Sequence, residues 1–293
     1  MLTQKKFRAA LKKRGFWQDA IYRFSKNKMA VFGLISSIIL IFVTILSPVI
    51  APYPFEKQDY TAIGEGPSFK HPMGTDLLGR DMLSRILYGG LVSISIGLLV
   101  QASALVIGLP LGAVAGYYGG YVDLAVTRLV DFFMAFPSLM LAILIMVALG
   151  PGYSNVFIAM AIVAWPPICR LVRGQFLTLR QRDYVLASRS IGVSNRREIF
   201  NHILPNSIAP VIVAVTVGIP AAIFREAGLS FLGIGVVPPT PSWGQMVGEY
   251  YLAIQAYWHL PVFPALTLGF AILAFTFVGD GIQDALSPRG VDR

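Results

Sequence analysis

The sequence predicts an all-α integral membrane protein with six transmembrane helices and a polar helix–turn–helix loop on one side of the bilayer. Three observations predict it. Only 13% of the 293 residues are charged, against about 25% in a soluble domain, and mean hydropathy is +0.66. The apolar residues gather in runs of the length a bilayer requires, about 20 residues each. A basic, polar stretch, residues 183–210, interrupts two of those runs.

The spans follow in order. Residues 1–28 form a basic N-terminal segment, and 29–293 form the membrane domain. Residues 29–51, which open the domain, are 23 residues without a charge. A cleaved leader carries an apolar region of roughly 7–15 residues, so this run reads as a retained span over about 29–50. The second span lies within the charge-free run 86–122 and ends near Gly116. The run 132–169 is 38 residues, too long for one span, and Gly150-Pro151-Gly152 divides it into the third and fourth. The fifth covers about 207–233 and bends at Pro220; the sixth covers about 261–282. Between the first two spans, in the segment 52–88, residues 77, 78, 82, 83, 86 and 87 are apolar. That stripe predicts a short helix outside the bilayer over 76–87, sealing the mouth of a path or packing at the interface.

Orientation follows from the cations. With both termini inside, segments 1–28, 116–131, 170–206 and 281–293 hold 19 of the 24 Lys and Arg, and the outer segments hold five. The positive-inside rule then makes both termini and the 170–206 loop cytoplasmic. The net charge of +9 is accounted for by topology, not by a nucleic-acid surface.

The loop reads DYVLASRSIGVSNRREIFNHILPNSIAP over 183–210. Residues 176–191 are helix-compatible, Gly192 ends that helix at positive φ, and Ser194 can cap a second helix that must stop near Pro205. A segment of this kind is a docking surface for a soluble partner or a basic loop held by anionic headgroups; spacing alone leaves both open. Arg128 and Asp131, three apart, are predicted to pair. Arg225 and Glu226 lie about 18 residues, roughly 27 Å, into the fifth span. Ionisable groups inside a span are candidate pathway or gate residues, although structural roles fit equally. Asp280 and Asp284, at the inner end of the sixth span, are expected to stay hydrated or to pair with the loop. His71, Asp76 and Asp81 lack the spacing of metal ligands, and Cys169 is the one cysteine, so no metal site is expected.

Six blocks carry a resemblance: FWQDAIYRFSKNKMAVFG, HPMGTDLLGRDMLSRILYGG, GYYGGYVDLAVTRLVDFFMAFPSLMLAI, the 183–210 loop, EAGLSFLGIGVVPPTPSWGQM and VGDGIQDALSPR. With them the chain resembles, over nearly its whole length, the second permease subunit of bacterial dipeptide, oligopeptide and nickel ABC importers. The resemblance implies a type I ABC importer permease fold with a cytoplasmic coupling helix, in the bacterial inner membrane. It implies a homologous permease as heterodimer partner, two cytoplasmic ATP-binding subunits and an extracytoplasmic substrate-binding protein, with lipid around them and no nucleic acid. ATP and magnesium would be held by those partners and no cofactor by this chain. Carried onto this sequence, the ATPase-coupling residues are Tyr184, Ala187, Ser188, Gly192, His202, Leu204 and Pro205. Three positions depart from the family pattern: Leu186 and Ser188, since Leu186-Ala187-Ser188 stand where Glu-Ala-Ala is usual, and Arg225, where a small or hydroxyl residue is usual.

Other classes lack their signatures. The sequence has no HExxH, no GxSxG, no cysteine with a histidine spaced to activate it, and no GxxxxGK[ST] phosphate loop. It is therefore read as a non-enzyme that hydrolyses no ATP itself. No internal repeat supports a stand-alone secondary transporter. Short peptides are the expected cargo, with nickel chelates, glutathione and oligosaccharides as alternatives. Charge-poor spans rich in Gly, Ala, Ser and Val suggest a conduit that grips no particular side chain.

Overall fold

A computed structural model describes residues 15–287. The first 14 residues of the basic N-terminal segment and residues 288–293, of which 288 and 289 end the last resemblance block, lie outside the described residues. Among the described residues there is no strand, and five helices are long and apolar enough to cross a membrane, or six when one bent pair counts as a span.

Helix α1, Phe16–Lys26, presents Phe16, Trp17, Ile21 and Tyr22 to the surroundings. Asn27 separates it from α2, Lys28–Ile45: its side-chain oxygen accepts from the backbone N–H of Met29 at 3.1 Å and Ala30 at 3.2 Å. An asparagine at an N-cap satisfies donors that the first turn leaves without partners. The chain turns through a short α3, Ser47–Ile50, with Pro48 in its first turn, where a missing N–H costs nothing.

Residues 76–81 are not helical, contrary to the stripe; the helix α4 begins at Met82 and runs to Tyr118. The reason is local. Asp76 Oδ1 accepts from the backbone N–H of Leu78 at 2.8 Å and of Arg80 at 2.9 Å, a turn that competes with helix formation. Asp81 caps α4 instead, accepting from Ser84 N–H at 2.8 Å.

Helices α4 and α7, Tyr153–Leu179, form the most extensive pair of the bundle. Gly108, Gly112 and Gly116, four residues apart, lie on one stripe of α4. A methyl at Gly108 would stand 2.8 Å from the Trp165 carbonyl oxygen, and one at Gly116 2.7 Å from that of Arg173. Small residues at this spacing let two backbones meet where lipid supplies no hydrophobic drive. The helix α7 passes through Pro166 and Pro167 and runs ten residues beyond the expected end at Cys169.

The third span is not one straight helix. Helix α5, Gly120–Met134, and α6, Ser138–Leu149, meet at 83° across residues 135–137. Pro137 offers no N–H and drives Phe136 out of the helical region, so the helix stops before it. The expected Arg128–Asp131 pair does not form. Asp131 accepts from Arg170 Nη2 at 2.8 Å, and Asp123 from Arg173 Nη2 at 2.7 Å, both tying α5 to α7.

The remaining elements are α8, Asp183–Ser190; α9, Asn195–Arg197; a π-turn, Glu198–Ile203; α10, Leu204–Phe231; α11, Trp243–Tyr250; and α12, His259–Leu286. Helix α12 packs on α1, α2, α10 and α11. Asp280 and Asp284 are exposed and form no ion pair among the described residues. Much of the outer face is apolar: Val49, Val106 and Val147 are exposed, as are Phe132 and Leu266. Such a surface is covered by lipid or by another membrane subunit.

Candidate functional site: the polar loop and the charges of the fifth span

The loop is a built corner. Helix α7 ends at Leu179, and residues 180–182 break it before α8, so the expected continuous helix 176–191 is two pieces. Gly192 has φ +78°, as expected of a helix-ending glycine. Its N–H donates to the Arg189 carbonyl at 2.9 Å, and the Val193 N–H to the Ser188 carbonyl at 3.1 Å. Those two bonds make a Schellman ending, which satisfies carbonyls that the last turn leaves open. Arg189 then reaches back across the turn to Glu198, with Nη2–Oε1 at 2.6 Å and Nε–Oε2 at 3.0 Å. Glu198 has no exposed surface, and its carboxylate holds the Arg189 guanidinium above its ordinary value. Arg189 also stacks 5.7 Å over the Tyr117 ring at the end of α4. Arg180 donates to the Tyr117 carbonyl at 2.5 Å. The corner is thus fixed to both α4 and α7.

The second helix does not stop near Pro205. It widens into the π-turn Glu198–Ile203 and continues as α10. A proline ring in a regular helix collides with the carbonyl four residues earlier. The wider turn gives that ring room, and Asn206 Nδ2 donates to the His202 carbonyl at 2.6 Å.

Of the sequence-derived loop residues, Tyr184, Ala187, Gly192 and Pro205 are exposed. His202 and Leu204 are half-buried, and Ser188 is buried with its hydroxyl on the Val185 carbonyl at 2.8 Å. Sequence reasoning did not single out Ile191 and Phe200, and marked Leu186 only as a departure from the family's usual Glu. All three are exposed apolar side chains of the same loop, and Phe200 lies beside Arg196 and Arg197. Ile191 alone carried a signal, as a single large apolar residue just before the turn glycine.

Arg225 and Glu226 part company. Glu226 is fully buried, accepting from Ser93 Oγ at 2.9 Å and Ser230 Oγ at 2.8 Å. Ser93 also accepts from the Trp243 N–H at 3.3 Å, and Ser230 from the Val236 N–H at 3.1 Å, so this hub joins α4, α10 and α11. Arg225 is half-buried and lines a cavity of about 210 Å³ between α4, α6, α7 and α10. At the opposite end of the bundle from the loop, Asp76 binds Arg80 Nε at 2.5 Å and Tyr250 Oη at 3.0 Å; Arg80 Nη2 reaches Glu249 at 3.2 Å. Burial and Asp76 push the Tyr250 phenol upward, so it keeps the proton it donates to Asp76 while its oxygen accepts from Arg80 Nη2 at 3.1 Å. His71 and Asp81, at 2.9 Å, complete a structural clasp, and no metal-binding cluster occurs among the described residues.

Residues 108–290 match the family model for the binding-protein-dependent transport system inner membrane component. The chain belongs to that family. As a permease subunit it also matches, over residues 15–72, the N-terminal TM domain of oligopeptide transport permease C. It is 40% identical over 273 residues to the dipeptide transport system permease protein DppC of Alkalihalophilus pseudofirmus, covering 93% of this chain and 90% of that protein. The oligopeptide transport system permease protein OppC of Bacillus subtilis is 40% identical over 279 residues, 95% and 91% of the two chains. The glutathione transport system permease protein GsiD of Escherichia coli O157:H7 is 41% identical over 274 residues, 93% and 90% of the two. In fold, the permease is similar to a chain of the MetNI methionine ABC transporter in an inward-facing conformation. That match has a TM-score of 0.58 and 20% identity, covering 70% of this chain and 98% of that one. The expected type I importer permease fold and multi-pass inner-membrane placement are therefore met.

Proposed function

We propose that the chain forms half of the path of an ATP-driven importer of short peptides. The observation that carries this is the dipeptide and oligopeptide permease relatives, 40% identical over more than nine-tenths of the chain. A homologous permease supplies the other half as a heterodimer, two cytoplasmic subunits bind ATP and magnesium, and an external binding protein delivers cargo. Both termini and the α8–α9 corner face the cytoplasm, as the cation count requires. The corner is the coupling element: Tyr184, Ala187, Ser188, Gly192, His202, Leu204 and Pro205 shape it, and exposed Leu186, Ile191 and Phe200 give it an apolar face for a cleft in the ATPase. With Leu186 in place of the usual Glu, seating relies on apolar contact more than on charge. ATP binding closes the ATPase dimer and draws two such corners together. The Schellman turn and the Arg189–Glu198 clamp pass that movement to α7 and α10 as rigid bodies. The binding preference of ATP for the closed dimer drives the switch.

The glutathione permease relative, 41% identical, favours glutathione as a second reading. The test is ATP-dependent uptake by the complete complex in proteoliposomes, with mass spectrometry of what co-purifies with the binding protein. Peptides of a few residues in both measurements are the expected result. Glutathione alone in both would replace the first reading by the second, and uptake without ATP would end both.

A further inference from the structure

We propose that Arg225 is a carboxylate receptor inside the path, taking the C-terminal carboxylate of a passing peptide. The proposal rests on the peptide reading above and names the group within the chain that meets the cargo. Its first support is the absence of a partner. Arg225 lies in a membrane-spanning helix, six residues before its end, and among the described residues it forms no ion pair or hydrogen bond. The neighbouring Glu226 cannot serve, because adjacent helical positions diverge by about 100°. Its two oxygens are also taken by Ser93 and Ser230. A guanidinium kept in a span without a counter-charge is retained against its own desolvation, which marks such groups as pathway elements.

The second support is the cavity. Its polar wall is Arg225, Gln101 and Ser138, its remaining wall includes Pro167, Ala214 and Gly218, and no acidic residue among the described ones lines it. An anion is therefore the favoured guest. Gln101 is held in place by donating to the Gly218 carbonyl at 3.1 Å, which fixes one side of the cavity. At about 210 Å³ the space is below the roughly 300–1,000 Å³ of pockets that enclose a whole ligand. It admits the end of a peptide and leaves the side chains free. Recognition would then fall on a group that every peptide of free terminus carries, through the planar fork that matches a carboxylate. One charge in a neutral wall also lets the cargo leave, as conduction requires. The conduit expected from charge-poor spans keeps its indifference to side chains but gains one grip.

The test uses the assembled importer in proteoliposomes, with tri-alanine and its C-terminal amide as probes. Arg225→Gln should lower tri-alanine uptake roughly tenfold, the worth of one charge-assisted hydrogen bond, and lower the acid-to-amide uptake ratio with it. Arg225→Lys should keep at least about a third of wild-type uptake, because the charge remains. Unchanged uptake in Arg225→Gln, or equal loss in Gln and Lys variants, overturns the proposal. Failure of the Gln variant to co-purify with the partner permease also overturns it, since the carboxylate would then belong to that subunit. Wild-type complex that imports no peptide sinks the peptide reading itself, a result separate from any Arg225 outcome.

Discussion

At the scale of single residues, the loop depends on two local decisions. Gly192 sits at φ +78°, where a β-branched side chain is a severe outlier and where Asn is tolerated. Gly192→Val should abolish substrate-stimulated ATP hydrolysis while the complex still assembles, and Gly192→Asn should retain most of it. Wild-type stimulation in the valine variant would show that the turn transmits nothing. The second decision is the clamp between Arg189 and buried Glu198. Arg189→Ala strands a buried carboxylate and should cost about 2–3 kcal/mol, discounted because the arginine itself is partly exposed. Arg189→Ala with Glu198→Ala should recover part of that loss in thermal unfolding of the purified subunit. If the double variant is no more stable than the single one, the pair is not a clamp. Gly192 was legible because a helix-ending glycine between two helix-compatible runs is a short-range signal. The Arg189–Glu198 pair, nine residues apart, was not, because only the completed turn brings the two together.

At the scale of elements, the glycine stripe 108/112/116 decides how close α4 and α7 come. Gly112→Leu should destabilise the subunit by at least about 1–3 kcal/mol through overpacking, lowering its melting temperature and its yield in the membrane. Gly174→Ala is the control, since nothing lies within 4 Å of a methyl there. Equal melting temperatures for both variants would remove the stripe from the account. Hydropathy made the spans legible, because desolvating backbone and charge dominates every other choice in lipid. It could not place the bend at residues 135–137, since an apolar run looks the same straight or bent and Pro137 was its sole mark. The stripe at 77, 78 and 82 failed for the opposite reason: an Asp76 side chain bonding its own turn outweighed helical periodicity.

For the whole molecule, the arrangement of spans was legible and the side to which each charge turns was not. Glu226 and Arg225 are sequence neighbours, yet one ends in a hydrogen-bonded hub and the other in a cavity, which only packing against Ser93 and Gln101 determines. Orientation across the membrane is open to a direct experiment. Successive spans put residues 180–203 at the same end of the bundle as the described N-terminal helix, and residues 51–81 at the other. If 19 of the 24 cations lie inside, the first end is cytoplasmic. The natural Cys169 is fully buried, so an impermeant maleimide should label the wild-type chain from neither side. In a Cys169→Ala background, Glu56→Cys and Arg182→Cys introduce exposed thiols at opposite ends. The reagent should reach the first in right-side-out vesicles only. It should reach the second in inside-out vesicles only, once these are stripped of ATPase subunits. The reverse pattern would invert the protein in the membrane and separate the corner from any ATP-binding partner. The coupling mechanism could not survive that result, because ATP is supplied on the cytoplasmic side alone.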